Sequence, residues 1–317
     1  MVQRRGGTAA VDKKTLAVLA LVAVTAIWGS TFVIIKDAIT TADPSDFLFF
    51  RFLIASAVLI AVFGRRLPAV GTRRAIVALA VGSVYGLAQL LQTWGLAHTS
   101  ASISGFLTGA YVVFTPFIAF LVMRSRISGR TMLASVIALL GIAVLSITGF
   151  SVGGGEALTL VSALVYALHI VLVGRFAQHI SAIDFTTLQM IGITVMVGGF
   201  ALQGGIELPS ESEVWVAILY TALLASIGVL FLQSWAQRFF AAATTAVFMA
   251  LEPIFATLFA VLFGGETVTG RLLLGGLMIL AAILISSRAG DADQQKQEEK
   301  AGPGAFDAPE QPQPVRS

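Results

Sequence analysis

The sequence contains no cysteine. Disulfides, thiolate nucleophiles and zinc–thiolate sites are therefore excluded, although no compartment is identified by that absence. Charge is scarce too. Only 12% of the 317 residues are Asp, Glu, Lys or Arg, against about 25% in a soluble domain. With 57% hydrophobic residues, the chain cannot clothe itself in a water-facing surface. Catalytic and nucleotide-binding signatures are missing as well. Gly153-Gly154-Gly155 lacks the Lys-Ser/Thr of a phosphate cradle. No His, Asp and Glu cluster at metal-ligand spacing, so neither metal nor cofactor is expected. No nucleophile–base–acid set is visible, so the chain does not read as an enzyme. The net charge of +3 resides in basic residues beside apolar segments, which points away from nucleic acid and toward a lipid bilayer.

Apolar stretches of about 20 residues, the length that crosses the hydrocarbon core as a helix, recur along the chain. They are too long and too uniformly apolar for barrel strands. The predicted spans are Leu16–Ile35, Phe47–Phe63, Ala75–Trp94, Ile103–Met123, Thr131–Phe150, Ala157–Val173, Phe185–Gln203, Val214–Trp235, Ala241–Phe263 and Leu272–Ser286. The first is read as a membrane span rather than a cleaved signal, because its apolar run is long and more spans follow.

Loop charges set the orientation. Arg4, Arg5, Lys13 and Lys14 precede the first span; Arg65, Arg66, Arg73 and Arg74 follow the second; Arg124, Arg126 and Arg130 follow the fourth. Arg175, Arg238 and Arg288 follow the sixth, eighth and tenth. The alternate loops carry Asp43, Asp46, Glu156, Glu207, Glu211, Glu213 and Glu266. The positive-inside rule then places both termini in the cytoplasm, and a bacterial cytoplasmic (inner) membrane is the expected location. From about Ala289 the composition turns to Asp, Gln, Glu, Lys, Gly and Pro, which predicts a disordered cytoplasmic tail.

The two halves repeat one another. Trp28 aligns with Tyr166, Thr31 with His169, Asp46 with Asp184 and Arg51 with Gln189. After an insertion in the second copy, Leu91-Gln92 aligns with Leu232-Gln233, Trp94 with Trp235, Gly129-Arg130 with Gly270-Arg271, and Tyr111-Val112 with Glu252-Pro253. An odd number of crossings per copy turns the second upside down. The expected fold is thus an all-α integral membrane protein of ten transmembrane helices in two inverted five-helix repeats. Residues 16–150 and 151–288 form the repeats, with 1–15 and 289–317 as cytoplasmic ends. Inverted repeats with a polar site between them are a common carrier architecture.

Polar side chains inside spans need a partner, water or a task. Span four puts Ser104, Thr108, Tyr111 and Thr115 on one face, and span nine puts Thr245, Met249 and Glu252 on the matching face. Span three offers Tyr85, Gln89 and Gln92, and span eight Gln233. Trp28 and Thr31 come from span one, with Ser162, Tyr166 and His169 from span six. A shared central cavity explains why such groups recur at matching points. Candidate substrate-binding residues are Trp28, Thr31, Gln89, Gln92, Thr108, Tyr111, Tyr166 and Gln233, with Glu252 as the proton-coupling candidate. A carboxylate at that depth can exchange a proton as solutes move. The plainer alternative is that Glu252 stays paired and, with Pro253, organises a kink. Arg51 and His169 are secondary candidates. For Arg51 the position favours snorkelling or pairing with Asp46 over a substrate contact, and His169 reads as a helix contact before a proton relay. Trp94 and Trp235 read as interface belt residues. Gly82-x3-Gly86 and Gly105-x3-Gly109 read as close helix approaches.

Trp28-Gly29-Ser30-Thr31-Phe32 with Lys36, Thr99-Ser100-Ala101-Ser102, the run from Gly105 to Phe114, and Leu251-Glu252-Pro253-Ile254-Phe255-Ala256 resemble EamA-type members of the drug/metabolite transporter superfamily. The likeness covers roughly Leu16 to Arg288. It implies ten helices, an inverted repeat, cytoplasmic termini and a central cavity, in a family that moves amino acids, other metabolites or drugs, usually outward. The expected function is a secondary active transporter, an exporter of a small amphipathic metabolite, amino acid or drug by alternating access, with proton coupling. The competing readings are a non-transporting membrane assembly subunit and a passive channel. Expected partners are a small-molecule substrate, the bilayer and protons, and a homodimer is one expected assembly.

Overall fold

The computed structural model describes residues 12–99, 101–124, 128–146, 153–263, 270, 273–282 and 284–285. Residues 1–11 of the predicted N-terminal segment and the predicted tail from 289 lie outside them, as do Arg4, Arg5, Arg126, Glu266, Arg271 and Arg288. Among the described residues the fold is entirely helical. The helices are α1 (Lys13–Ala38), α2 (Pro44–Phe63), α3 (Thr72–His98), α4 (Ala101–Thr108), α5 (Tyr111–Met123), α6 (Gly129–Ser146) and α7 (Gly154–Phe176). They continue as α8 (Ala182–Gly204), α9 (Ser212–Tyr220), α10 (Val229–Ala236), α11 (Ala242–Met249), α12 (Glu252–Phe263) and α13 (Leu273–Ala282). A π-helical stretch, Thr221–Gly228, joins α9 to α10.

Among the described residues, seven helical segments are long and apolar enough to cross a bilayer: Lys13–Ala38, Pro44–Val70, Thr72–His98, Gly154–His179, Ala182–Gly204, Ser212–Ala236 and Ala242–Phe263. Tyr111–Met123, Gly129–Gly141 and Leu273–Ala282 are shorter apolar helices. The outward faces carry large apolar side chains; Leu121 is 74% exposed and Phe263 80%. Such a surface suits lipid, where all backbone polar groups must be paired internally, as helices pair them. The chain is an integral membrane protein.

Local chemistry starts the helices. The Asp43 carboxylate accepts from the Ser45 backbone N–H at 2.7 Å, and Pro44 occupies the first turn of α2, where its missing N–H costs nothing. At the aligned position, Ser181 caps α8 by accepting from the Asp184 N–H at 3.2 Å. Glu156 reaches back to the Gly153 N–H at 2.9 Å and holds the start of α7.

The sequence predicts spans four and nine as single helices, and the structure breaks both. α4 yields to α5 through a turn at Gly109-Ala110, and α11 yields to α12 through a turn at Ala250-Leu251. The physical reason is explicit in span nine. Pro253 has no N–H for the Met249 carbonyl one turn back, so regular helix cannot run through. The π-helical stretch in span eight has no counterpart in the unbroken α3.

Packing interleaves the halves. α3 packs on α7 and α8, α2 on α8 and the π-helical stretch, α1 on α10 and α12, and α5 on α7 and α11. Backbones meet where side chains vanish. A Cβ on Gly82 would sit 2.2 Å from the Gln189 carbonyl oxygen, and one on Gly192 would sit 2.1 Å from that of Leu79, so α3 and α8 touch through these two residues. Gly86 likewise faces Ile193. Gly105 differs from expectation. A Cβ there would meet only the Phe32 ring, at an ordinary 3.8 Å, so no backbone-to-backbone approach needs this glycine.

Candidate functional site

Where the two sets of helices meet, a cavity leaves about 580 Å³ free of protein atoms. α1 contributes Trp28 and Thr31, α2 Arg51, α3 Tyr85, Gln89 and Gln92, and the α4–α5 pair Thr108 and Tyr111. α7 adds Tyr166 and His169, α10 Gln233, α11 Met249, and α12 Glu252. Each candidate site residue named from the sequence therefore lines this one space. Phe32, Ile35, Thr93, Leu96, Ile170 and Met249 line it too and were not among the candidates. Their apolar or small polar side chains carry no signal that separates a cavity wall from ordinary core. Tyr85, seen on the polar face of span three, belongs with the site.

The polar wall is a chain of hydrogen bonds. The Ser226 hydroxyl accepts from Arg51 Nε at 2.9 Å, and Gln89 Oε1 accepts from Arg51 Nη1 at 3.3 Å. Gln89 Nε2 donates to the Tyr85 hydroxyl at 3.1 Å and to the Tyr166 hydroxyl. The Tyr166 hydroxyl donates to Gln92 Oε1 at 2.8 Å, and Gln92 Nε2 donates to Thr108 Oγ1 at 2.9 Å. One connected network thus runs from the π-helical stretch through α2, α3 and α7 to the end of α4. Inside a bilayer, each member satisfied this way avoids the cost of a lone polar group, and the amide orientations are fixed by their neighbours.

Arg51 departs from the expectation. It neither snorkels nor pairs with Asp46. It is 1% exposed, and its guanidinium also lies over the Phe52 ring at 4.8 Å. Asp46 Oδ2 instead accepts from the Glu207 N–H at 3.1 Å. α2 packs against α8 and the π-helical stretch, which turns the Arg51 face inward, away from headgroups. Among the described residues no carboxylate lies within ion-pair distance of Arg51.

His169 Nε2 lies 2.9 Å from Gln189 Oε1, which can only accept, so this nitrogen carries a proton. Its ring packs against Tyr85 with centroids 4.9 Å apart. His169 is thus both a helix contact and a cavity wall. Trp28 anchors α1 by donating from Nε1 to the Ala225 carbonyl at 3.1 Å, a carbonyl within the π-helical stretch. The wide turn tips backbone oxygens toward neighbouring helices, and such turns gather at functional sites. Trp94 and Trp235 stay outside the cavity; Trp94 donates to the Ser45 hydroxyl at 3.0 Å.

Glu252, 6% exposed, lines the same cavity. The Tyr111 hydroxyl lies 2.7 Å from the Met249 carbonyl oxygen and 3.3 Å from Glu252 Oε2. Tyr111 thereby gives the Met249 carbonyl the donor that Pro253 cannot. Gln233 Nε2 donates to Gln237 at 3.1 Å, but its Oε1 is buried without a partner among the described residues. The cavity therefore holds a cation, Arg51, an acid, Glu252, and an amide oxygen of Gln233 that has no partner among the described residues. Among the described residues no three His, Asp or Glu side chains gather as metal ligands.

The model of the EamA-like transporter family matches the chain twice, over residues 15–147 and 153–288. An "Uncharacterized transporter" of Archaeoglobus fulgidus is 30% identical over 287 residues, covering 90% of each chain. The Bacillus subtilis "Uncharacterized transporter YcxC" is 25% identical over 293 residues, covering 87% of this chain and 94% of that protein. A protein of known crystal structure superposes with a TM-score of 0.71 at 14% identity, covering 88% of this chain and 99% of that one, which is a likeness of fold. With the family model spanning both halves, this chain belongs to the EamA-like transporter family.

Proposed function

We propose that the protein is a proton-coupled secondary transporter that exports a small amphipathic zwitterion, such as an amino-acid-like metabolite, by alternating access. Its ten spans form two inverted five-helix repeats, residues 16–150 and 151–288, with both termini in the cytoplasm of a bacterial inner membrane. Several observations support the repeat. Spans four and nine break at aligned points, and Tyr111 and Glu252 begin the second piece of each. The contacts also pair off: α3 packs on α7 as α10 packs on α1, and α5 on α7 as α12 on α1.

The observation that carries the functional reading is the polarity of the cavity. Among the described residues Arg51 is buried with hydrogen bonds but no counter-charge, and Gln233 Oε1, which lines the same space with Glu252, has no partner. A solute carboxylate satisfies the first and a solute ammonium the second. Trp28, Tyr85 and Tyr166 supply apolar faces for its side chain. Burying a charge without its complement is costly, so an occupied cavity favours a bipolar guest. Glu252 can hold either a proton or the guest's ammonium, and such competition is sufficient for antiport.

The test is transport in proteoliposomes, with candidate zwitterions first selected by thermal stabilisation of the purified protein. Wild type exports against an inward proton gradient and shows counterflow. Glu252→Gln is expected to keep counterflow and to lose stimulation by the gradient. Gradient stimulation of the Gln variant at the wild-type level overturns the coupling. Flux without counterflow returns the protein to the channel reading.

A further inference from the structure

Two structural facts about Tyr111 are not used by that cycle. Its hydroxyl sits between two acceptors, the Met249 carbonyl at 2.7 Å and Glu252 Oε2 at 3.3 Å. It also comes from α5, at the break of span four, and touches the break of span nine on both sides, since Met249 ends α11 and Glu252 begins α12.

We propose that Tyr111 is a positioning residue that converts the protonation state of Glu252 into a change at the α11–α12 break. This rests on Glu252 being the coupling acid. The argument is a count of hydrogens. A phenol has one to give. When Glu252 is a carboxylic acid, its own O–H donates to the Tyr111 oxygen, and Tyr111 donates to the Met249 carbonyl. Every group is then satisfied. When the proton leaves Glu252 for cavity water, Oε2 can only accept, and a charge-assisted bond outcompetes a neutral one. The Tyr111 hydrogen turns to the carboxylate, and the Met249 carbonyl loses its donor. Pro253 cannot replace it, because it has no N–H. A carbonyl orphaned in a dry interior is expensive, so the break rearranges until that oxygen finds water, the solute or another amide.

The asymmetry between the copies is what makes this possible. Val112 stands where the second copy has Pro253, and its N–H bonds the Gly109 carbonyl at 3.1 Å. Among the described residues only the second break sets a carboxyl group beside a residue that has no N–H. The other titratable or charged groups facing the same cavity are Arg51 on α2, Tyr85 on α3, and Tyr166 and His169 on α7. α1 and α4, which pack on α12, contribute no titratable group to it.

The experiment is infrared difference spectroscopy of the full chain in lipid, titrated with protons alone. Methionine is labelled with carbon-13 at the carbonyl, and Met249→Leu assigns the band. In wild type, loss of the protonated carboxyl band coincides with a shift of the Met249 carbonyl to higher frequency. Two variants move the midpoint in opposite directions. Tyr111→Phe removes a donor from the ionised carboxylate, so the midpoint rises and the carbonyl band stays still. Pro253→Ala gives Met249 an amide donor of its own and frees Tyr111 for Glu252, so the midpoint falls. If Tyr111→Phe does not fold, the labelled wild type and Pro253→Ala decide alone. A Met249 carbonyl that is silent while the carboxyl titrates overturns the relay and leaves the coupling of Glu252 standing. A carboxyl band that persists in Glu252→Gln, with gradient-driven transport intact, removes both.

Discussion

The aligned breaks in spans four and nine share a backbone solution and differ in chemistry. The first break, at Gly109-Ala110, is made of small residues and begins its second helix with Tyr111. The second, at Ala250-Leu251, begins its second helix with Glu252-Pro253. The same contrast appears one helix earlier. α3 is unbroken and offers Tyr85, Gln89 and Gln92, whereas its counterpart carries a π-helical stretch and offers Ser226, Leu230 and Gln233 at the matching positions. A repeated framework thus supplies the cavity, and departures from repetition supply its polarity. The first copy gives the cation and most of the hydrogen-bond network, and the second gives the acid. A symmetric site would bind opposite ends of a solute equally, whereas the proposed bipolar guest needs ends that differ.

The contact that holds the two copies together tests the framework first. Gly192→Ala places a Cβ where the Leu79 carbonyl oxygen now lies, at 2.1 Å, and α3 must move from α8. Overpacking of that kind is expected to destabilise the protein by about 1–3 kcal/mol, read as a lower midpoint of thermal unfolding in detergent. Gly199→Ala on the same helix meets nothing within 4 Å and should be neutral or slightly stabilising. Equal effects at the two positions would remove the claim that α3 and α8 depend on a bare backbone contact.

The polarity of the cavity is tested next. Arg51→Gln loses a charge-assisted donor that on release from water is worth about 1.5–3 kcal/mol, so KM for carboxylate-bearing solutes should rise by about 10- to 100-fold while solutes lacking the carboxylate change little. Uniform weakening across both kinds of solute would make Arg51 a structural residue. Its aligned partner sharpens the comparison. Gln189→Leu breaks bonds to His169 and Ser234 behind the cavity wall, with an expected loss of about 1 kcal/mol of stability and unchanged solute preference. The smallest effect is expected at the π-helical stretch. Ser226→Ala removes one acceptor from Arg51, and about a two- to fivefold rise in KM follows if the Gln89 contact persists, because the guanidinium keeps its charge and loses only part of the ~1.5–3 kcal/mol of a hydrogen bond to a charged group.

Much of this was legible without coordinates. Trp28, Tyr166, Gln92, Gln233 and Glu252 announce themselves because a polar or amphipathic group inside an apolar span is rare and recurs at aligned points. At Arg51 the sequence pattern and the structure differ for a physical reason. Its distance from the span end fits snorkelling, and sequence does not say which neighbour a helix face meets. The helix breaks were half visible. Pro253 marks one, but Gly109-Ala110 carries no such signature and reads as ordinary small-residue packing.

Composition and apolar run length alone commit this chain to a membrane and to helices, because lipid offers the backbone no other partner. The alignment of its halves adds the expectation of two related bundles, since periodic residues repeat whether or not they touch. What folding alone decided is contact between residues far apart in the chain. The Tyr111 hydroxyl meets the Met249 carbonyl and Glu252, and Arg51 meets Ser226 and Gln89, because packing of α1, α2, α3 and α5 against α7, α8, the π-helical stretch, α11 and α12 brings those few atoms within hydrogen-bonding distance.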